Sequence, residues 1–280
     1  MSPPPESGRA ESALRSAAEA YYWKPSTAWF RALELAEYQE IGTRLPAPVL
    51  DLGCGDGRVA WMLERLGLIE PDPIGTDMSR RQLELAGRLD VHRHIVRSDA
   101  TGLPFRDDRF GSIVCNGVLC SIPDDFQSAL GEIRRVLVPG GRAAITVPTD
   151  RFQEVLFWPR VLGRVSERLR ARYEDAMDAR QPHFRALPPD SWRRELEGAG
   201  LEVVRVRPFF RRAEGIRWNL LAMHVMRFFG ALRLVDGPLV RRAAAPVVAA
   251  LFRRPFRRAI EAEQHASGDA GYVLLEARKT

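Results

Sequence analysis

Two periodicities alternate along the chain. Short apolar runs occur at Val49–Leu52, Pro73–Asp77, Ser112–Cys115, Ala143–Val147, Leu201–Val206 and Gly271–Ala277. Runs of roughly four to eight such residues, bounded by turn residues, predict buried strands. Helical spacing appears between them. Leu130, Ile133, Leu137 and Val138 recur on one helix face, and Pro139-Gly140-Gly141 is predicted to stop that helix and start the next strand. Ser12–Ile41 predicts helix broken at Pro25, with Tyr21, Tyr22 and Trp23 before the break and Trp29, Phe30, Leu33, Leu35 and Tyr38 after it. Arg151–Gln181 predicts a helical insertion carrying both apolar and charged residues. Strands that alternate with helices in this way predict an α/β domain.

The most specific segment is Pro48–Gly57, P-V-L-D-L-G-C-G-D-G. Val49, Leu50 and Leu52 make the strand, Asp51 lies at its end, and Gly53, Gly55 and Gly57 turn the chain into a helix starting near Arg58. Alternating glycines remove Cβ atoms that would hold a ligand away from the backbone. A strand passing through such a turn into a helix N-terminus is a nucleotide-type site. The dinucleotide fingerprint needs a third glycine where this chain has Arg58, and no Gly-Lys-Ser/Thr follows to make a phosphate-binding P-loop. Asp77 ends the next strand about 20 residues on, where a carboxylate can accept hydrogen bonds from both ribose hydroxyls. It could equally cap the helix that follows from Ser79.

The glycine loop resembles the first motif of the class I S-adenosylmethionine-dependent methyltransferases, in which acid-x-Gly-x-Gly-x-Gly wraps the cofactor's methionine part. The likeness continues through R-S-D-A-T-G-L-P at Arg97–Pro104, F-R-D-D-R-F-G at Phe105–Gly111, and the strand ending at Asn116. It runs on through V-L-C-S-I-P-D at Val118–Asp124 and L-G-E-I-R-R-V-L-V-P-G-G-R at Leu130–Arg142. Over residues 48–147 the order and spacing are similar to the ubiquinone/menaquinone-type (methyltransferase type 11) subfamily. The resemblance implies a Rossmann-like, seven-stranded, mostly parallel sheet with helices on both faces, and S-adenosylmethionine as cofactor. It implies that Asp51, Gly53, Cys54, Gly55 and Gly57 surround the methionine end and that Asp77 with Met78 serves the ribose. Asp99 with Ala100 then faces the adenine amino group, and Asn116 with Gly117 closes the fourth strand. In relatives an N-terminal helix lies across the cofactor pocket, which gives Tyr22 or Tyr21 a contact with the cofactor or acceptor. Simple packing of these aromatics on the sheet is the alternative. Family members commonly carry Glu-His where this chain has Cys120-Ser121, so no acid–base role is carried over, and Cys120 is expected to be a small buried thiol.

The variable parts carry the acceptor side. Gln181–Leu201, Q-P-H-F-R-A-L-P-P-D-S-W-R-R-E-L-E-G-A-G-L, resembles the family's histidine, loop, Trp-bearing helix and Ala-Gly-Leu leading into the sixth strand. His183 is the candidate to bind or deprotonate the acceptor, with a structural loop histidine as the alternative. Some sixty residues then separate the sixth and seventh strands, where relatives have a short connection. From Arg211 to Arg258 they hold eleven arginines against Glu214 and Asp236, a net charge of +9 in a chain whose total is +6. Three uses fit this basic and apolar segment: a lid with a solvated face, an anionic membrane surface, or nucleic acid. Its apolar content and the lack of a recognised RNA-binding module argue against the third.

The expected organisation is a disordered tail over 1–12, N-terminal helices over 13–47, a methyltransferase domain over 48–210 and 266–280, and a basic amphipathic helical insertion over 211–265. Cys54, Cys115 and Cys120 show no metal-ligand spacing, so no metal is expected, and an odd count of thiols suits a reducing cytoplasm. No apolar run reaches the roughly 20 residues that span a bilayer, and the first dozen residues lack a signal-peptide pattern. The expectation is a cytoplasmic enzyme, with a peripheral seat at the inner face of the membrane as the alternative. It would transfer methyl groups by in-line displacement to a small, hydrophobic or lipid-like acceptor. An RNA methyltransferase and a non-catalytic cofactor-binding relative are the rival classes.

Overall fold

A computed structural model describes residues 6–178, 185–224, 238–263 and 269–280. These form two compact units, Ile41–Asp150 with Gln181–Pro208 and Tyr272–Thr280, and Met1–Glu40 with Arg151–Arg180 and Phe209–Gly271.

The first unit is built on a seven-stranded sheet. Its strands are β1 (Val49–Leu52), β2 (Ile74–Asp77), β3 (His94–Arg97), β4 (Phe110–Asn116), β5 (Leu137–Pro148), β6 (Leu201–Arg211) and β7 (Ala270–Lys279). Their spatial order is β3-β2-β1-β4-β5-β7-β6. The pairings β3/β2, β2/β1, β1/β4 and β4/β5 are parallel, while β7 lies antiparallel to β5. All four residues of β1 are buried because a parallel partner flanks each edge and helices cover the faces. The edge strand β3 has no fully buried residue. Helices α3 (Arg58–Arg65), α4 (Arg80–Leu89) and α5 (Phe126–Val136) connect the parallel strands.

The α5 helix buries Phe126, Ala129, Leu130, Ile133 and Val136, so of the four positions expected on its face Leu130 and Ile133 lie in the helix, while Leu137 and Val138 lie in the next strand. It ends at Val136 instead of continuing to Val138, and β5 begins at Leu137. Pro139-Gly140-Gly141 lies within that strand as an irregularity. The β4/β5 pairing steps from Phe110↔Leu137 to Ser112↔Arg142, and Gly140 takes φ +74. The strands themselves extend beyond their apolar cores, β6 to Arg211 and β7 to Lys279. Backbone pairing, unlike side-chain polarity, needs no apolar residue at the strand ends.

The other unit is helical. It holds α1 (Glu6–Ala20), α2 (Pro25–Gln39), α6 (Phe157–Val165) and α7 (Glu167–Asp178), then α9 (Arg212–His224) and α10 (Pro238–Glu263). The remaining helix, α8 (Pro189–Gly198), belongs to the sheet unit and buries Trp192 and Leu196. Pro25 opens α2 at its first turn, where a missing N–H costs nothing. Helix α1 starts at Glu6, within the stretch 1–12 expected as a tail. The N-terminal helices, the 151–180 insertion and the long insertion share one compact unit. Trp29 of α2 joins them, with its ring 5.4 Å from Phe252 and 5.9 Å from Phe256. Its indole N–H donates to the Glu214 carbonyl at 3.2 Å.

Candidate active site

The sheet order reverses between β1 and β4, and open α/β sheets bind ligands beyond the carboxyl ends of the strands at such a switch point. A cleft of about 260 Å³ lies there. Leu52 and Gly53 enter it from β1, Thr76, Asp77 and Met78 from β2, and Ser98, Asp99 and Ala100 from β3. Asn116, Gly117 and Val118 enter from β4, with Ser121 and Ile122 beside them.

The glycine loop is held from below. Gly53, Gly55 and Gly57 all have positive φ, at +67, +55 and +80. A Cβ on Gly53 would lie 2.2 Å from Val118 Cγ2, so only glycine leaves the loop against the cleft. The Cys54 N–H donates to the Thr76 carbonyl at 2.8 Å, and the Gly55 N–H donates to Asp77 Oδ2 at 3.0 Å. Asp77 Oδ1 accepts from the Ser79 N–H at 2.7 Å. One carboxylate thus ties the loop to the end of β2 while keeping spare lone pairs on both oxygens. The N-cap of α4 is Ser79, whose hydroxyl accepts from the Gln82 N–H at 3.4 Å. Asp77 is not that cap.

At the end of β3, Asp99 Oδ1 accepts from both the N–H and the hydroxyl of Thr101 at 2.9 Å. This fixes the carboxylate and leaves Oδ2 with no protein donor among the described residues. The following segment is clamped from α5. Glu132 Oε2 accepts from the Leu103 N–H at 2.6 Å, and Arg135 donates to the carbonyls of Leu103 and Phe105 at 3.0 and 2.7 Å. The Arg135 hydrogen bond holds the Glu132 carboxyl below its ordinary value. Thr146 donates to Asn116 Oδ1 at 3.0 Å.

Of the residues singled out from sequence, Gly53, Asp77, Met78, Asp99, Ala100, Asn116 and Gly117 line this cleft together. Gly55 and Gly57 shape the loop behind it. Asp51 does not line it: the carboxylate is buried and Oδ2 lies 2.9 Å from His92 Nε2. His92 was not found from sequence. Its imidazole fits against two glycines, since a Cβ on Gly75 would meet His92 Cδ2 at 2.8 Å and one on Gly57 would meet Cε1 at 3.1 Å. Cys54 completes a buried trio whose ligand atoms lie within 4.8 Å of one another. Burial, then the Asp51 and Asp77 carboxylates, hold its thiol well above the usual range. Tyr22 lies in the helical unit, buried edge-on against Trp23 at 5.0 Å. His183 lies outside the described residues.

Cys120 is fully buried and its thiol donates to the Gly117 carbonyl at 3.2 Å. Burial pushes Cys120 up to about 11 and Cys115 up to about 12, so both are protonated thiols at neutral pH.

The lining suits a polar, ribose-bearing ligand. Thr76 Oγ1 and Ser98 Oγ are buried in the cleft lining without a hydrogen-bond partner among the described residues, and such groups normally find one. With the Gly53 cradle and the Asp77 and Asp99 carboxylates, they fit S-adenosylmethionine.

Residues 50–145 match the family described as "Methyltransferase domain". The chain is 38% identical over 105 residues to 2-phytyl-1,4-naphtoquinone methyltransferase of Synechococcus elongatus, covering 35% of this chain and 44% of that one. It therefore spans less than half the length of that relative. It is 28% identical over 185 residues to demethylmenaquinone methyltransferase of Staphylococcus aureus, covering 61% of this chain and 74% of that one. Two solved structures share the fold. One is an S-adenosylmethionine dependent methyltransferase from Mesorhizobium loti, at TM-score 0.51 and 15% identity over 88% of this chain and 97% of that one. The other is the [4+2]-cyclase SpnF, at TM-score 0.52 and 20% identity over 88% of this chain and 82% of that one.

Proposed function

We propose that this chain, whose residues 50–145 match the family described as "Methyltransferase domain", is a class I S-adenosylmethionine-dependent methyltransferase that methylates a small hydrophobic acceptor. The observation that carries the cofactor half is the convergence of Gly53, Asp77, Asp99, Thr76 and Ser98 on one cleft at the sheet's switch point. Asp77 would accept from the ribose hydroxyls while its bonds to Gly55 and Ser79 hold it in place. Asp99 Oδ2 would accept from the adenine amino group. Bound there, S-adenosylmethionine supplies a methyl group already activated on a sulfonium. No nucleophile from the protein is then required, which accords with the protonated state of Cys120. What remains for the chain is to hold the acceptor in line and exclude water.

The acceptor half rests on the two relatives, whose names specify a phytylated naphthoquinone and a demethylmenaquinone. A ring compound with an apolar tail is accordingly the acceptor class we propose. We assign His183 to the acceptor side and Tyr22 to the cofactor or acceptor.

The test is transfer of labelled methyl from S-adenosylmethionine into lipid and RNA extracts of the same cells. Label in the lipid extract, abolished by His183→Ala without loss of cofactor binding, is the expected result. Label only in RNA would replace the acceptor class, and label in neither would overturn the enzyme.

A further inference from the structure

The basic character of the insertion is concentrated in one of its two described helices, α10. Helix α9 packs against α2 and α6 and buries Glu214 and Asn219. Helix α10 is different. Its inner face buries Ala245, Val248, Ala249, Phe252, Phe256 and Ala259, which recur at helical spacing and pack towards α1 and α2. The opposite face is exposed.

Two features of that outer face point to a partner. Val247 and Leu251 are 56% and 60% exposed, and Arg254 and Arg258 continue the same i, i+4, i+7, i+11 stripe. Arg242, Arg253 and Arg257 run along its flank, and all five arginines are exposed. Glu261 is the one acid on this face among residues 242–261. Arg253 pairs with Glu11 at 3.0 Å, whereas Arg242, Arg254, Arg257 and Arg258 have no acidic partner among the described residues. A face that only solvates charge has no use for two large aliphatic side chains in its centre. Polyanionic nucleic acid would use the arginines and leave Val247 and Leu251 in water.

We propose that the outer face of α10 docks on an anionic lipid bilayer. The helix would lie in the interface plane with Val247 and Leu251 at the acyl boundary. The arginine stems would cover apolar surface and their guanidinium groups would reach lipid phosphates. No helix among the described residues is long and apolar enough to cross a membrane, so the contact is peripheral. This inference is independent of the acceptor and of methyl transfer.

The test is co-sedimentation of the full chain with phosphatidylglycerol/phosphatidylcholine vesicles, with phosphatidylcholine vesicles and a single-stranded RNA as comparators. The expected result is binding to the anionic vesicles that weakens as salt rises. Combined Arg254→Glu, Arg257→Glu and Arg258→Glu should lower partitioning on the order of 100-fold. Combined Val247→Ser and Leu251→Ser, which leaves charge unchanged, should lower it about ten-fold without altering RNA binding. Every substituted residue is exposed, so the melting temperature should not move. Two results overturn the proposal: no sedimentation of the folded chain with anionic vesicles at low salt, or full vesicle binding by the serine variant with RNA bound as tightly. The second outcome would make the face a polyanion site.

Discussion

Asp77 ties the glycine loop to the end of β2 through the carboxylate proposed to hold the ribose, and that tie was not legible in the sequence. Its position beyond a strand end is visible in P-I-G-T-D, but its bond to the Gly55 N–H joins residues 22 apart and depends on the loop geometry. Asp77→Asn keeps the shape and one acceptor while removing the charge. It should weaken S-adenosylmethionine binding about 100-fold by calorimetry, since hydrogen bonds to charged groups contribute about 1.5–3 kcal/mol each. Gly53→Ala should be at least as severe, because φ +67 and the 2.2 Å approach to Val118 both oppose a side chain. His92 is the residue that sequence reasoning missed altogether. Nothing in V-H-R-H marks it, and its partner Asp51 lies 41 residues away. The signal that existed was indirect: Gly75 inside a strand often marks a close approach, and here it is the imidazole that approaches. His92→Ala leaves a cavity beside a buried, unpaired Asp51 carboxylate. It should cost about 3 kcal/mol of stability in urea unfolding, and His92→Ala as stable as wild type would remove the pair from the account.

Elements were legible at their centres and not at their ends. The centre of the α5 stripe, Leu130 and Ile133, was legible in the sequence, but Leu137 and Val138 were expected to continue it and instead begin β5, where pairing of Leu137 with Phe110 takes over. Glu132 and Arg135 show why a polar residue on such a helix can matter as much as an apolar one. They satisfy the backbone of Leu103 and Phe105 and so fix the segment that follows Asp99. The Glu132 carboxyl is held below its ordinary value of 4.5 by the Arg135 hydrogen bond. A carboxyl depressed in the folded state stabilises the fold above its unfolded value, and that contribution is lost as pH falls through the folded value. Glu132→Gln should therefore lower stability by about 1 kcal/mol at neutral pH. The gap from wild type should close on acidification below 4.5. A gap of constant size across that range would contradict the ion-paired role.

At the scale of the molecule, the strand–glycine–helix pattern predicts a site at the carboxyl end of β1, and the cleft lies there, at the switch point between β1 and β4; the strand order itself depends on pairings between distant segments. The division into units was less legible. Three segments far apart in the chain make one helical unit, and their association rests on contacts such as Trp29 with Phe252 and Phe256, which no local pattern announces. The acceptor class proposed above rests on the names of the matched relatives. The cofactor belongs to the shared parts, where the chain's own geometry speaks. The most direct measurement is a calorimetric titration of the full chain with S-adenosylmethionine, run on wild type and Asp77→Asn. Micromolar-range binding by wild type, largely lost in the variant, is the expected result. No binding by folded wild type, or equal binding by both proteins, would contradict the account.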